Sequence, residues 1–181
     1  MKKIILLLCI VLLGIACESE PYSVESELYT CLMNSLSQEE KEKIAAIMTE
    51  YEQYLIDEGT LASSSAESYW NVYKAFAKNP VLGSQNNFNL EKKISFLNDK
   101  NPEELQGLMD CHYKIFETEE YKQSRTYQVK KAMESLEIKD RINPKMIANK
   151  VIEHMTPKDF EVAYNRFNTL LFIARYTITI K

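Results

Sequence analysis

The stretch Ser37-Gln-Glu-Glu-Lys-Glu-Lys-Ile-Ala-Ala-Ile-Met-Thr-Glu-Tyr-Glu-Gln-Tyr-Leu-Ile-Asp-Glu-Gly59 decides the fold class. Its apolar side chains recur every three or four residues, which is the spacing of one face of an α-helix. Ser37 and Glu40 form a capping-box pair at its start, and Gly59 is a helix-terminating residue at its end. The stretch therefore predicts an amphipathic helix that buries one stripe of side chains. This stripe consists of Ile44, Ile47, Met48, Tyr51, Tyr54 and Leu55.

Helix-start signals recur further along the chain. Asn101-Pro102, Asn143-Pro144 and Thr156-Pro157 each place a capping side chain before a proline at the first helical position. Each pair predicts a separate helix. We expect the last of these helices to run as one element over residues 157–174.

Other segments add helices on weaker signals. Helical periodicity predicts helices at 24–36, at 90–97 and from Thr118 to Leu136. In the helix that begins at Pro102, one apolar stripe is expected to face the core. That stripe consists of Leu105, Leu108, Met109, His112 and Phe116.

An aromatic helix precedes the main loop. Ser64 with Glu67 predicts its start, and Asn79-Pro80 ends it because a residue before proline disfavours the helical state. Residues 79–89 are rich in turn formers and predict the main loop. The expected architecture is all-α: a single irregular bundle of about seven or eight helices over residues 24–181.

The carboxyl end of the chain has two competing patterns. Tyr176, Ile178 and Ile180 alternate with polar residues in a strand period, directly after a helical segment. The sequence leaves open whether this tail packs on its own domain, adds as a strand to a partner or is disordered.

Composition excludes two broad classes of protein. The 181 residues include 22 basic and 26 acidic side chains, for a net charge of −4, and 45% are hydrophobic. A mean hydropathy of −0.32 argues against a multi-span membrane protein. The acidic balance argues against binding to nucleic acid, which needs clustered basic residues.

The amino terminus has the order of an export signal. Lys2 and Lys3 precede an apolar run that ends in Ala16 and Cys17. The segment from Ile4 to Ala16 covers about 20 Å as a helix, short of the roughly 30 Å hydrocarbon core of a bilayer. A permanent membrane span is therefore not expected.

Ala16 and Cys17 resemble the end of a bacterial lipoprotein signal peptide. The resemblance implies cleavage of residues 1–16 and attachment of acyl chains, such as palmitate, to Cys17, followed by a short tether over 17–23. Gly14 departs from the pattern, since a branched aliphatic residue is usual there. Unlipidated secretion and a retained anchor are the alternatives. The expected location is the bacterial cell envelope, with the protein lipid-anchored to a membrane on the periplasmic face or the cell surface.

Two cysteines remain for the exported domain once Cys9 is removed and Cys17 carries lipid. Cys31 and Cys111 either form a disulfide that closes a long loop or pack as two reduced thiols in a helical core. The sequence does not decide between these two states.

Motifs for catalysis, nucleotide binding or metal binding do not occur in the sequence. His112 and His154 belong to no metal-ligand spacing, and no glycine-rich phosphate loop or Gly-x-Ser-x-Gly motif is present. Cys111 and His112 are adjacent and point about 100° apart on a helix, which disfavours a nucleophile pair. We expect no catalytic residues, no metal and no cofactor.

Aromatic side chains are the one positive feature. Tyr69, Trp70 and Tyr73 crowd one helix, and such rings either fill the core edge or form a contact surface. If the three rings form a contact surface, we expect the loop residues Asn86, Asn87 and Phe88 to belong to it as well. Such a surface would bind a protein, peptide or glycan.

Three functional classes follow from these observations. The first is a lipid-anchored, non-enzymatic adaptor or surface-binding domain with an envelope protein as partner. The second is a small-ligand carrier with a cavity between helices lined by methionine and aromatic side chains. An envelope enzyme is the third, and its site would have to be assembled from scattered residues.

Overall fold

The computed structural model describes residues 22–79, 87–137 and 143–176. Within these ranges the chain forms nine α-helices, two 3₁₀ turns and no strand, so the predicted all-α class is confirmed. The signal segment with Cys17, loop residue Asn86 and the tail positions Ile178 and Ile180 lie outside the described residues. The helices are α1 (Ser23–Asn34), α2 (Gln38–Asp57), α3 (Ala66–Lys78), α4 (Leu90–Lys93), α5 (Pro102–Phe116), α6 (Glu119–Gln123), α7 (Arg125–Glu137), α8 (Pro144–His154) and α9 (Ala163–Tyr176), with 3₁₀ turns at Ser95–Asp99 and Pro157–Glu161.

Both predicted ends of α2 are confirmed. The backbone N–H of Ser37 donates to Glu40 Oε2 at 2.7 Å, and the Glu40 N–H donates to Ser37 Oγ at 3.3 Å, which completes the capping box. Gly59 has a φ of +73°. The N–H groups of Gly59 and Thr60 donate to the carbonyls of Ile56 and Leu55 in a Schellman motif.

The cap of α3 differs from the prediction. Ser65, not Ser64, accepts the N–H of Ser68, at 3.3 Å. The buried Ser68 hydroxyl in turn accepts the N–H groups of Ala62 and Ser63, at 2.8 and 3.2 Å. This bonding fixes the turn ahead of the helix and thereby sets where α3 begins.

Two predicted long helices are each broken in the structure. The helix that begins after Thr118 stops at Ser124, where extended backbone separates α6 from α7. Pro157 opens a 3₁₀ turn, and Val162 separates it from α9. The break at Val162 is held by side chains of the following helix. Asn165 Nδ2 donates to the Asp159 carbonyl at 2.8 Å, and Arg166 Nε donates to the Phe160 carbonyl at 2.6 Å.

Two hydrophobic clusters hold the helices together. The larger cluster centres on α2, α3, α8 and α9, and includes Tyr51, Phe76 and Ile173. The smaller cluster joins α1, α5 and α6 through Leu28, Ile115 and other side chains. Helix α3 packs mainly against α8 and the second 3₁₀ turn, while α1 packs against both α5 and α9. Among the described helices, none combines the length and apolar character needed to cross a bilayer.

A disulfide ties α1 to α5 within the smaller cluster. Cys31 and Cys111 are bonded across a sequence separation of 80 residues, with their Cα atoms 5.9 Å apart. Cys31 is buried, with 5% of its surface exposed. Of the two states that the sequence left open, the structure has the bridged one.

The face that α5 turns to the core overlaps the predicted one only in part. Leu105 and Met109 are 44% and 47% exposed, whereas Ile115 is buried. Of the other members of the predicted stripe, Leu108 and Phe116 are partly buried against the smaller cluster. The disulfide and Ile115 fix which side of α5 meets α1, and this contact leaves Leu105 and Met109 on the outside.

Candidate functional site

The structure corrects the predicted aromatic contact surface. Tyr69, Trp70 and Tyr73 are only 1%, 7% and 5% exposed, because α3 is enclosed by its neighbours. The Tyr69 hydroxyl donates to Glu52 Oε1 at 2.7 Å, and the Trp70 ring lies 6.0 Å from that of Phe160. These rings are therefore part of the core and cannot offer a surface to a partner.

The loop residues of the predicted surface lie against a different helix. The Phe88 ring packs between Tyr51 and Tyr54 of α2, with centroid distances of 4.9 and 5.6 Å. The N–H of Asn87 donates to the Tyr54 hydroxyl at 3.2 Å. The described part of this loop thus packs against α2.

A cavity of about 550 Å³ lies where the two hydrophobic clusters meet. It is open to solvent on one side and is lined by side chains from α3, α5, α6, α7, α8, α9 and the second 3₁₀ turn. Most of its lining is apolar, and the aromatic rings are contributed by both clusters. The aromatic lining residues are Tyr73, Phe116, Tyr121, Phe160, Tyr164 and Phe172.

Aliphatic and methionine side chains complete the wall. Helix α7 contributes Val129 and Met133, one turn apart, and α8 contributes Ile147 and Val151, also one turn apart. Met155 follows directly after α8. Methionine is flexible and polarizable, so it adapts to irregular apolar shapes.

Few polar groups face the cavity, and most of them have partners. The Tyr73 hydroxyl bonds to Thr169 Oγ1 at 3.2 Å, and Thr126 Oγ1 donates to Glu25 Oε1 at 2.6 Å. The Tyr164 hydroxyl is bonded to the Asn168 side chain, and burial raises the pKa of Tyr164. These groups need no ligand to be satisfied.

Tyr121 also lines the cavity. It is 2% exposed, and its ring packs against those of Phe116 and Tyr127, with centroid distances of 4.8 and 5.4 Å. Burial raises the pKa of Tyr121 to about 12, and the nearby Tyr164 and Glu134 add to the shift. The phenol is therefore neutral at physiological pH and carries a hydroxyl that can donate one hydrogen bond.

A charged pair marks the solvent side of the cavity. Lys130 and Glu134 both line it, form an ion pair with each other, and have side chains that are 47% and 56% exposed. The charges therefore lie at the edge, and the apolar wall lies inside.

Two carboxylates that the sequence analysis did not single out are buried. Glu25 and Asp159 are 5% and 2% exposed. Glu25 accepts from Thr126, and Asp159 accepts from Arg125 Nη1 at 2.6 Å. Both carboxylates have hydrogen-bond partners within the protein, so a structural role explains their burial.

The residues weighed for chemistry form no reactive arrangement. The Cys111 sulfur is bonded to Cys31 and so carries no thiolate beside His112. His112 Nε2 is buried without a hydrogen-bond partner among the described residues. No group of three or more His, Cys, Asp or Glu side chains in those residues is arranged to hold a metal ion.

The sequence indicated a ligand cavity between helices as one of the alternatives but did not locate it. Methionine and aromatic content suggested a chamber between helices, but nothing in the sequence placed it. Its walls depend on which faces of α7, α8 and α9 meet, and the breaks at Ser124 and Val162 set those faces.

Comparison of the chain with family models, curated proteins and solved structures gives no significant match. The class of protein is therefore defined by the fold and the cavity: an all-α domain with an aromatic-lined chamber between two hydrophobic clusters.

Proposed function

We propose that this protein is a lipid-anchored carrier of the bacterial envelope that binds a small apolar molecule in the cavity between its two hydrophobic clusters. The cavity carries the proposal. Its volume of about 550 Å³ lies within the range of ligand pockets, roughly 300 to 1,000 Å³. The anchor is supported by the lipoprotein-like sequence that ends in Ala16 and Cys17.

The lining indicates the chemistry of the ligand. Six aromatic rings with Met133 and Met155 favour an apolar body, because such walls offer contact area without hydrogen bonds. The Tyr121 hydroxyl offers one hydrogen bond inside this wall. We therefore expect a neutral or weakly polar amphiphile that carries one hydrogen-bonding group.

The tether keeps the cavity near its source of apolar molecules. Tyr22 lies five positions after Cys17, which gives a reach of at most about 18 Å. Glu25, in the first turn of α1, accepts a hydrogen bond from Thr126 of the cavity wall. A ligand drawn from the lipid phase would thus travel only a short distance.

Binding of the neutral dye N-phenyl-1-naphthylamine tests the carrier proposal. Met133→Trp places a larger side chain in the cavity, and we expect it to weaken dye binding at least tenfold. Lys131→Trp is the matched control, because Lys131 is exposed on the same helix and does not line the cavity. Dye affinity that is the same in the wild type and both variants would contradict the proposal.

The anchor and the natural cargo are tested on protein from its own cell envelope. Intact mass spectrometry is expected to give a chain that begins at Cys17 with added acyl groups, and native conditions are expected to retain a small molecule. Cys17→Ala should release the protein from the membrane fraction. A wild-type mass without lipid would contradict the anchor and leave the cavity proposal standing.

An adaptor without catalytic chemistry is a second proposal, and a separate observation favours it. The large apolar side chains that stay exposed in the described chain are Leu105, Met109 and Tyr113, all on α5. A polypeptide that stays bound through detergent extraction would support this role.

A further inference from the structure

One face of α5 is apolar although it is exposed. Leu105, Met109 and Tyr113 are 44%, 47% and 55% exposed and lie four residues apart, so they form one row along the helix. They are the large hydrophobic side chains left exposed in the described parts of the chain. Scattered exposed apolar residues are ordinary, but a contiguous row is typical of a contact surface.

A row of carboxylates runs beside the apolar row. Glu103, Asp110 and Glu117 are spaced by seven residues, close to two helical turns, so they also line up along the axis. All three are exposed, and at 100° per residue their row lies about 100° around the helix from the apolar row.

The charge around this face is one-sided. Residues 102–120 contain six carboxylates and a single lysine, Lys114. Glu104 and Glu119 form ion pairs with Lys100 and Lys122, which lie just outside this range. The other four carboxylates form no ion pair with any described residue. The whole chain is far more balanced, with 22 basic and 26 acidic side chains. The exposed face of α5 therefore has an apolar row with an acidic row along one side of it.

The face is also held in place before any partner arrives. Cys111 lies on the opposite side of α5, about 160° from the centre of the apolar row, and bonds the helix to α1. Ile115 packs into the smaller cluster on the same inner side. A partner would meet a surface that is already ordered, which lowers the entropic cost of binding.

We propose that this face of α5 docks a partner protein that presents apolar side chains flanked by lysine or arginine. The inference rests on the proposed adaptor role and uses no residue that lines the cavity. Charge complementarity selects this occupant. A second copy of the chain would bring the same acidic row, and an anionic lipid surface would repel it.

Synthetic helical peptides test the surface on the full-length protein in detergent. Three peptides are compared: a leucine-faced helix with lysine flanks, the same helix with glutamate flanks, and a lysine-flanked helix whose leucines are serines. We expect only the first to bind, with affinity that falls as salt is added. Equal binding of the lysine-flanked and glutamate-flanked leucine helices would overturn the proposal.

Variants of α5 separate the apolar and charged contributions. Leu105→Ser combined with Met109→Ser should weaken peptide binding at least tenfold. Glu103→Gln combined with Asp110→Asn should weaken it several-fold and reduce its salt dependence. Glu91→Gln, at an exposed carboxylate on α4, is the control and should change neither quantity. Unchanged binding in the serine variant would place the contact elsewhere.

Cross-linking in the native envelope distinguishes this surface from the adaptor role itself. p-Benzoyl-phenylalanine in place of Met109 should cross-link to a basic, apolar segment of another protein. Cross-links to lipid or to a second copy would overturn the proposal. If a polypeptide co-purifies but position 109 gives no cross-link to it, the assignment of the docking surface to α5 is wrong and the proposed adaptor role stands. If no polypeptide co-purifies and no cross-link forms, both fail.

Discussion

Asp159 is a buried carboxylate that connects separate segments of the chain. Its Oδ2 accepts hydrogen bonds from Arg125 Nη1, the Thr156 N–H and Thr156 Oγ1, at 2.6 to 2.8 Å. Arg125 begins α7, whereas Asp159 and Thr156 belong to the turn ahead of α9. A single side chain thus fixes how α7 meets the 3₁₀ turn beside the cavity.

Replacing this carboxylate should cost stability. Asp159→Asn removes the charge that pairs with Arg125 and weakens the bonds from Thr156, so we expect the free energy of unfolding to fall by about 1 to 3 kcal/mol. Urea denaturation measures the change. Glu161→Gln, at a neighbouring exposed carboxylate, is the control, and an equal loss in both variants would contradict the explanation.

Glu40 should control part of the acid dependence of stability. Its hydrogen bond to Lys100, together with the Ser37 cap, lowers the pKa of Glu40 from 4.5 to about 2. The pKa of Glu40 is lower in the folded state than in the unfolded state. The contribution of the ionised Glu40 carboxylate to the free energy of unfolding is therefore complete above pH 4.5 and is lost as the pH falls toward 2.

Unfolding measured across this window tests the assignment. We expect the stability difference between the wild type and Glu40→Gln to shrink steadily from pH 5 to pH 2. Glu39→Gln, in the same first turn of α2, should leave the shape of the acid limb unchanged. A constant difference across the window would show that Glu40 is not responsible.

At the scale of elements, two glycines differ in backbone conformation, and the same substitution at each of them should have opposite effects on stability. Gly59 has a φ of +73° in the cap of α2, whereas Gly107 lies inside α5, and a Cβ at either position would meet no atom within 4 Å. We therefore expect Gly59→Ala to destabilise the fold by about 1 kcal/mol and Gly107→Ala to stabilise it by about 0.5 to 1 kcal/mol. Thermal unfolding of the two variants measures both effects, and changes of the same sign would contradict this account.

Caps could be read from the sequence because they depend on residues within one turn. The ends of α2 and the starts at Asn101 and Asn143 were predicted correctly, since each is set by a local hydrogen bond. The buried face of α5 was predicted correctly only in part, since Leu108 and Phe116 pack inward but Leu105 and Met109 do not. Leu105 and Met109 have the right spacing for a core stripe, but only packing against α1 decides which stripe is covered.

At the scale of the molecule, the disulfide reinforces the smaller of the two clusters. It closes a separation of 80 residues, and in the loop-entropy model such a bridge contributes about 4 kcal/mol. Cys31→Ala combined with Cys111→Ala should lower the free energy of unfolding by about that amount in non-reducing buffer. The wild type in a strong reductant is the control and should lose a similar amount.

Hydrogen exchange should show where that stability resides. We expect α1 and α5 to lose more protection than α3 and α8 when the bridge is removed, because the bridge lies in the smaller cluster. Uniform loss across all four helices would mean that the two clusters unfold as one unit.

The cavity is also a property of the whole molecule. Tyr121 comes from the smaller cluster, while Tyr73, Phe160 and Phe172 come from the larger one. Neither cluster alone provides all the walls of the cavity. The site therefore depends on how the breaks at Ser124 and Val162 orient α7 and α9.

The sequence by itself determined the all-α class and several helix ends, because helical periodicity and capping act over a few neighbouring residues. Tertiary structure alone decided that Tyr69, Trp70 and Tyr73 are core, that Leu105 and Met109 are exposed, and where the cavity lies. The physical reason is that an apolar stripe specifies that something must cover it but not what. The covering partner is chosen by contacts between residues far apart in the chain, such as Cys31 with Cys111 and Arg125 with Asp159.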